Sequence, residues 1–180
     1  MNGKINVGGI RIETERLVLR EWQADDAEDF FEYAKVDGVG QAAGWQPHES
    51  IEETKGILFD FIKNKKTFAI CYKESGKVIG SLGVEELRCE RHRRSKKTGR
   101  ELGYVLSKDF WGRGLMTEAV KAVSDFLFKK YGYDLLSCGH FPENKRSKRV
   151  IQKCGFKFCA IGKWNGKDVI YYQLKNPYLS

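Results

Sequence analysis

The segment Phe110-Trp-Gly-Arg-Gly-Leu-Met-Thr-Glu-Ala119 constrains this chain more than any other stretch. Before it, ELGYVL (101–106) is short, apolar and patterned as a strand; after it, AVKAVSDFLFKKYG (119–132) carries apolar residues at helical spacing. The junction therefore turns a strand into a helix, with Gly112 and Gly114 flanking Arg113. Glycine opens backbone angles closed to other residues and lets a second molecule approach the main chain. At the start of a helix the amide groups lack intrahelical partners, and the helix dipole adds partial positive charge. Such a turn is an anion cradle suited to phosphate, and Arg113 adds a cation to it. The same glycines equally suit a tight turn that holds no ligand. Two known phosphate loops are excluded. No Gly-Lys-Ser/Thr follows, and Thr117 stands where GxGxxG needs its third glycine.

The rest of the chain places this junction in a mixed α/β fold. RLVLREW (16–22) alternates as a first strand, and Asp25 and Asp26 can cap a helix carrying Phe30, Phe31 and Ala34. Ser50-Ile-Glu-Glu53 is a capping-box pattern, leading a helix with Ile57, Leu58, Phe61 and Ile62 inward. TFAICY (67–72) and KVIGSLGVEEL (77–87) read as a hairpin. DLLSCGH (134–140) is a strand, and Asn144 to Cys154 is a basic helix closed by Gly155. KFCAIGKWNGKDVIYYQL (157–174) is a hairpin turning at Asn165-Gly166. After a loose lead-in over residues 1–13, residues 14–180 then form a single domain. It is expected to hold a central mixed sheet of about seven strands flanked by about four helices. Its central β-α-β unit crosses over right-handed, so the two strands it joins are parallel.

Charge narrows the ligand. There are 32 Lys plus Arg against 24 Asp plus Glu, a net charge of +8, which favours an anionic partner: nucleic acid, anionic lipid or a phosphorylated small molecule. No apolar run is long enough to span a bilayer. The five cysteines (Cys71, Cys89, Cys138, Cys154 and Cys159) include no CxxC and no pair at zinc-ligand spacing. With no secretory leader at the start, they read as reduced thiols of a cytoplasmic protein without a metal. His48, His92 and His140 form no recognisable arrangement with them, which counts against a nucleophilic thiol. RCERHRRSKKTGR (88–100), the densest basic stretch, is either a solvated loop between strands or a partner-binding surface.

ELGYVLSKDFWGRGLMTEA (101–119) resembles the GNAT acetyltransferases, whose signature [QR]-x-x-G-x-[AG] is a strand-to-helix turn that binds the pyrophosphate of coenzyme A. Within that superfamily it is most similar to the branch that acetylates ribosomal-protein N-termini. NKRSKRVIQKCGF (144–156) resembles that branch's second motif, and RLVLREW and the terminal hairpin fall in the expected places. The resemblance implies a GNAT-like fold with acetyl-CoA as cosubstrate and no metal. It puts Gly112, Arg113, Gly114, Leu115, Met116 and Thr117 along the pyrophosphate. It puts the backbone of Tyr104, Val105 and Leu106 along the pantetheine arm, with Asn144 bonding an amide of that arm; capping the basic helix is the alternative role for Asn144. Lys145, Arg146 and Lys148 either meet the 3′-phosphate or form a solvated helical face. Three departures stand out. Trp111 replaces the Gln or Arg of the signature, as is common in this branch, and Met116 replaces its small final residue. Ile151 stands where a tyrosine often protonates the departing thiolate.

The implied reaction is direct acetyl transfer from acetyl-CoA to a neutral amine, so a group must accept a proton from the incoming ammonium. The resemblance assigns that role to Glu101, acting through water. The competing role for Glu101 is an ion pair with Arg100 or another basic residue, and Glu85 and Glu86 are the reserve bases. The expected acceptor is a protein N-terminal α-amine, and a small amine (polyamine, amino acid or aminoglycoside) is the second reading. Its pocket is expected from the two N-terminal helices, the 38–47 loop and the final hairpin. A third reading, of another class, is a non-catalytic RNA- or ribosome-binding module using the 88–100 stretch. No membrane partner is expected, nucleic acid enters only through ribosomal proteins, and a homodimer stays open.

Overall fold

The computed structural model describes residues 5–179. Among them, eight strands are hydrogen-bonded in the order β1-β2-β3-β4-β5-β6-β8-β7, one strand more than the sequence pattern suggests. The extra strand is β1 (Arg11–Glu13), which pairs antiparallel with β2 (Leu17–Glu21). It lies in the stretch expected to be a loose lead-in, where Ile5 and Val7 are also buried. The described part of that stretch is therefore structured; residues 1–4 lie outside the described residues. Short spacing hid β1, because three residues are too few to show alternation.

The chain packs as two compact units. One comprises Ile5–Gly83 with Tyr104–Ala119. Here β2, β3 (Thr67–Tyr72) and β4 (Val78–Glu85) continue the antiparallel run from β1. Helices α1 (Ala27–Ala34) and α2 (Ile51–Asn64) join Trp22, Phe30, Tyr33 and Leu58 in a buried apolar cluster. Helix α2 begins as its capping signal predicts: Ser50 Oγ accepts from the Glu53 N–H at 3.1 Å. The reciprocal bond differs, since the Glu53 carboxylate accepts from the Glu49 N–H at 2.7 Å, one residue ahead of the cap.

The second unit comprises Val84–Gly103 and the chain from Val120 onward. Strand β5 (Gly99–Leu106) pairs parallel with β6 (Leu135–His140), with Gly99 opposite Leu135 and Leu102 opposite Cys138. Helix α4 (Leu115–Tyr131) forms the crossover between them. Helix α5 (Lys145–Lys153) follows β6, and the hairpin of β7 (Lys157–Trp164) and β8 (Lys167–Lys175) completes the chain. Its turn is Asn165-Gly166, both at positive φ as a two-residue hairpin turn requires. The basic 88–100 stretch is not a uniformly solvated loop: it forms a short helix α3 (Glu90–Arg93), with Cys89 and His92 buried. With it the described residues hold five α-helices, one more than expected.

Candidate active site

Gly112 and Gly114 sit at φ +77° and +78°, in the region that side chains with a Cβ rarely adopt. Both glycines and Arg113 are exposed, whereas Leu115 and Met116, the first helical residues, are buried. The loop thus offers main chain outward while the head of α4 is anchored by side chains pointing inward. Met116, the departure from the signature, takes part in that anchoring rather than facing the loop. The Glu118 N–H donates to the Gly114 carbonyl at 3.0 Å, so the amides before it lie ahead of the helical ladder. This is the geometry an anion cradle needs.

Arg113 is steadied over two rings, its guanidinium carbon 5.3 Å from the centre of Phe110 and 5.9 Å from that of Tyr72. Trp111 donates its indole N–H to the Leu106 carbonyl at 2.9 Å, tying the loop to the end of β5. That bond gives the tryptophan in place of Gln or Arg a clear structural use. Val105 and Leu106 are buried and Tyr104 is half-buried.

The loop has a brace that the motif does not announce. Glu118 accepts from Thr14 Oγ1 at 2.6 Å and from the Arg16 N–H at 2.9 Å through one oxygen, and from Arg16 Nε at 2.8 Å through the other. Arg16 in turn donates from Nη1 to the Arg113 carbonyl at 3.0 Å. The turn between β1 and β2 is thereby locked to the cradle, with Arg16 beside Gly114. The one sequence hint was the glutamate of Thr-Glu-Ala directly after the loop; nothing local pointed to its partners about a hundred residues earlier.

Burial pushes the Glu118 carboxyl up, but the bonds from Thr14 and Arg16 outweigh it and hold the pKa below the ordinary carboxylate range. Glu118→Ala is expected to lower unfolding free energy at neutral pH by about 1.5–3 kcal/mol, the usual worth of a hydrogen bond to a charged group. Because the folded pKa is depressed, this contribution is full above the unfolded value. It is lost as pH falls through the folded one. Denaturant titrations of parent and variant should therefore converge in acid.

In the second unit, Glu101 is buried at 5 % exposure. Its carboxylate accepts from the Arg88 N–H at 3.0 Å, with Arg88 Nη1 farther off at 3.9 Å. Burial raises its pKa above the ordinary range, opposed by the Arg88 and Cys89 N–H groups and the Arg88 charge. The partner is Arg88; the Arg100 guanidinium instead lies over the Tyr133 ring at 5.2 Å. Arg88 thus fills the ion-pair role expected as the alternative for Glu101, and burial shifts the carboxyl in the direction a general base needs. Glu85 is half-buried and Glu86 exposed.

Asn144 takes its capping role: Oδ1 accepts from the Ser147 N–H at 3.0 Å at the start of α5. Asn144→Ala should cost about 0.5–2 kcal/mol of stability, as loss of such a cap does, read from the melting transition. If coenzyme A affinity is unchanged in the same variant, a role for Asn144 on the pantetheine arm falls. Lys145, Arg146 and Lys148 are exposed, and Ile151 is fully buried, a hydrocarbon side chain with no proton to give where a tyrosine would donate one.

One expectation is overturned. In the sequence the histidines form no recognisable arrangement with a cysteine, yet His92 Nε2 lies 3.1 Å from Cys159 Sγ. The residues are 67 positions apart, and only the pairing of distant strands brings them together.

Comparison with known proteins gives the family. A family model described as an acetyltransferase (GNAT) domain matches residues 16–157. An uncharacterized N-acetyltransferase, YoaA of Bacillus subtilis (strain 168), is 28% identical over 151 residues, 81% of this chain and 82% of that protein. A GNAT-family acetyltransferase from Bacillus anthracis superposes with a TM-score of 0.81 at 21% identity, over 93% of this chain and 99% of that one. A ribosomal-protein-S5-alanine acetyltransferase from Vibrio fischeri gives 0.73 at 22% identity, over 94% and 98%. At those identities the two structures speak for the fold. No helix among the described residues is long and apolar enough to cross a membrane.

Proposed function

This chain belongs to the GNAT acetyltransferase family, and from that membership we propose that it acetylates protein N-terminal α-amines, with acetyl-CoA held at the 112–117 loop. The observation that carries the cofactor assignment is the pair of exposed glycines at positive φ, at the head of α4. The acceptor assignment is supported by the Gly-x-Gly-x-x-Thr-Glu-Ala form of the loop and by likeness to an acetyltransferase of a ribosomal protein.

The donor, when bound, supplies an acetyl group activated as a thioester. The protein's contributions follow from its own groups. Gly112 to Thr117 cradle the phosphates with main-chain amides, and Arg113 and Arg16 set positive charge around that loop. The backbone of Tyr104, Val105 and Leu106 would hold the pantetheine arm, and a main-chain N–H of that strand would polarise the acetyl carbonyl. Glu101 accepts a proton through water from the incoming ammonium, leaving a neutral amine to attack. Solvent reprotonates the thiolate, a good leaving group.

The decisive experiment offers N-terminal peptides of ribosomal proteins beside polyamines, amino acids and aminoglycosides, with mass spectrometry of the products. The expected result is acetylation at a peptide α-amine with kcat/KM above that for every small amine. Preference for a small amine, with peptides untouched, would replace the acceptor and keep the reaction class.

A further inference from the structure

We propose that Cys89, His92 and Cys159 form a structural zinc site. Their ligand atoms all lie within 4.8 Å of one another, and all three residues are buried. A tetrahedral zinc ion with the usual bonds to sulfur and nitrogen separates its ligand atoms by roughly 3.3–3.8 Å. The cluster therefore needs only small side-chain adjustments to close around one.

Local structure builds each ligand in. Cys89 and His92 stand at the ends of one turn, with the His92 N–H donating to the Cys89 carbonyl at 3.0 Å. This i, i+3 spacing puts two ligands on one side of α3. Cys159 comes from β7, at a bulge. Phe158 pairs with Tyr172 and Ala160 with Tyr171, so Cys159 is the extra residue, buried while Phe158 is 60% exposed. Bulges re-aim side chains in this way. His92 Nε2 faces Cys159 Sγ at 3.1 Å and Gln173 Oε1, on β8, also at 3.1 Å. Gln173 thereby offers an oxygen as fourth ligand.

The chemistry of the set selects the ion. Two sulfurs and an imidazole suit zinc and leave calcium and magnesium, which need oxygen ligands, without a site. Phe141, Val169 and Tyr171 surround the cluster with apolar surface that excludes competing water. The His92 nitrogen that would ligate is Nε2, which is turned toward both the Cys159 sulfur and the Gln173 oxygen.

Binding is acid–base, not redox. The zinc ion takes two thiolates and a neutral imidazole and releases the two thiol protons to solvent, giving a complex of zero net charge. The ion pins the basic turn at 88–93 to the final hairpin.

The test uses full-length protein, reduced, stripped of metal and given zinc or cobalt alone. The expected results are one zinc per chain, a higher melting temperature with zinc, and a cobalt spectrum with a thiolate charge-transfer band and intense four-coordinate visible bands. Gln173→Ala should weaken zinc binding by at least the roughly 10–100-fold that loss of an outer-shell partner costs. Cys89→Ser and Cys159→Ser should weaken it further, and Cys154→Ser should leave it unchanged. If a cysteine variant does not fold, alkylation footprinting of the parent decides: zinc should protect Cys89 and Cys159 beyond their metal-free level. Folded, reduced parent that takes up no zinc and shows no cobalt charge-transfer band overturns the site. So does a Cys89–Cys159 disulfide in protein that retains no metal after reduction.

Discussion

Gly114→Val should leave a folded protein that no longer binds coenzyme A. At φ +78° a β-branched residue is strained by about 1–3 kcal/mol, a cost the domain can absorb. An added Cβ has room, since its nearest neighbour would be Arg16 Nη2 at 3.7 Å. The damage is therefore conformational. To relieve the strain the loop must turn to negative φ, which rotates the amides at the head of α4 away from the phosphates. Valine also places two methyl groups on the exposed side where those phosphates approach. Calorimetry should record no heat of coenzyme A binding in a variant whose far-ultraviolet circular dichroism matches the parent. Binding as tight as the parent's would mean that the glycines only shape the turn.

Glu101→Gln should cut turnover by about 10²–10⁴-fold while coenzyme A affinity stays at the parental level. Glutamine keeps the size and can still accept from the Arg88 N–H, so the change removes proton acceptance and little else. Because burial raises the Glu101 pKa, the acid limb of the parent's rate profile should lie above the ordinary carboxylate range and vanish in the variant. The stability effect has the opposite sign to that of Glu118. A buried carboxyl of raised folded pKa binds more protons folded than unfolded, so it destabilises as pH rises past its unfolded value. The glutamine variant should therefore melt higher than the parent at neutral pH, with the gain closing in acid. A loss of turnover that disappears at high pH, where the amine is already neutral, would support the same role. Near-normal turnover at neutral pH would eliminate Glu101 and pass the role to Glu85 or Glu86.

What could be read from the sequence was local. The strand, paired glycines and helix from Glu101 to Tyr131 lie in one continuous stretch, and each signal there has a short-range cause. The Ser50 cap and the Asn165-Gly166 turn were legible for the same reason. Contacts closed by distant pairing were not. Glu118 reaches Thr14 and Arg16 across 104 and 102 positions, and no periodicity encodes that meeting. Cys159 is turned inward by a bulge in β7, an irregularity that composition does not reveal. The basic 88–100 stretch misled because its charges dominate, while the residues that pack, Cys89 and His92, are a minority among them. Strand β1 escaped because three residues leave no pattern to find.

If the protein moves an acetyl group from acetyl-CoA to an amine, thiol release and acetylated product must rise together. In the presence of an N-terminal peptide, free coenzyme A thiol should appear in a one-to-one ratio with acetylated α-amine. Without an acceptor, release should fall to the rate of spontaneous hydrolysis. No thiol release with any peptide or small amine, together with RNA binding that weakens steeply with salt, would mean that the protein is a basic binding module and not an acetyltransferase.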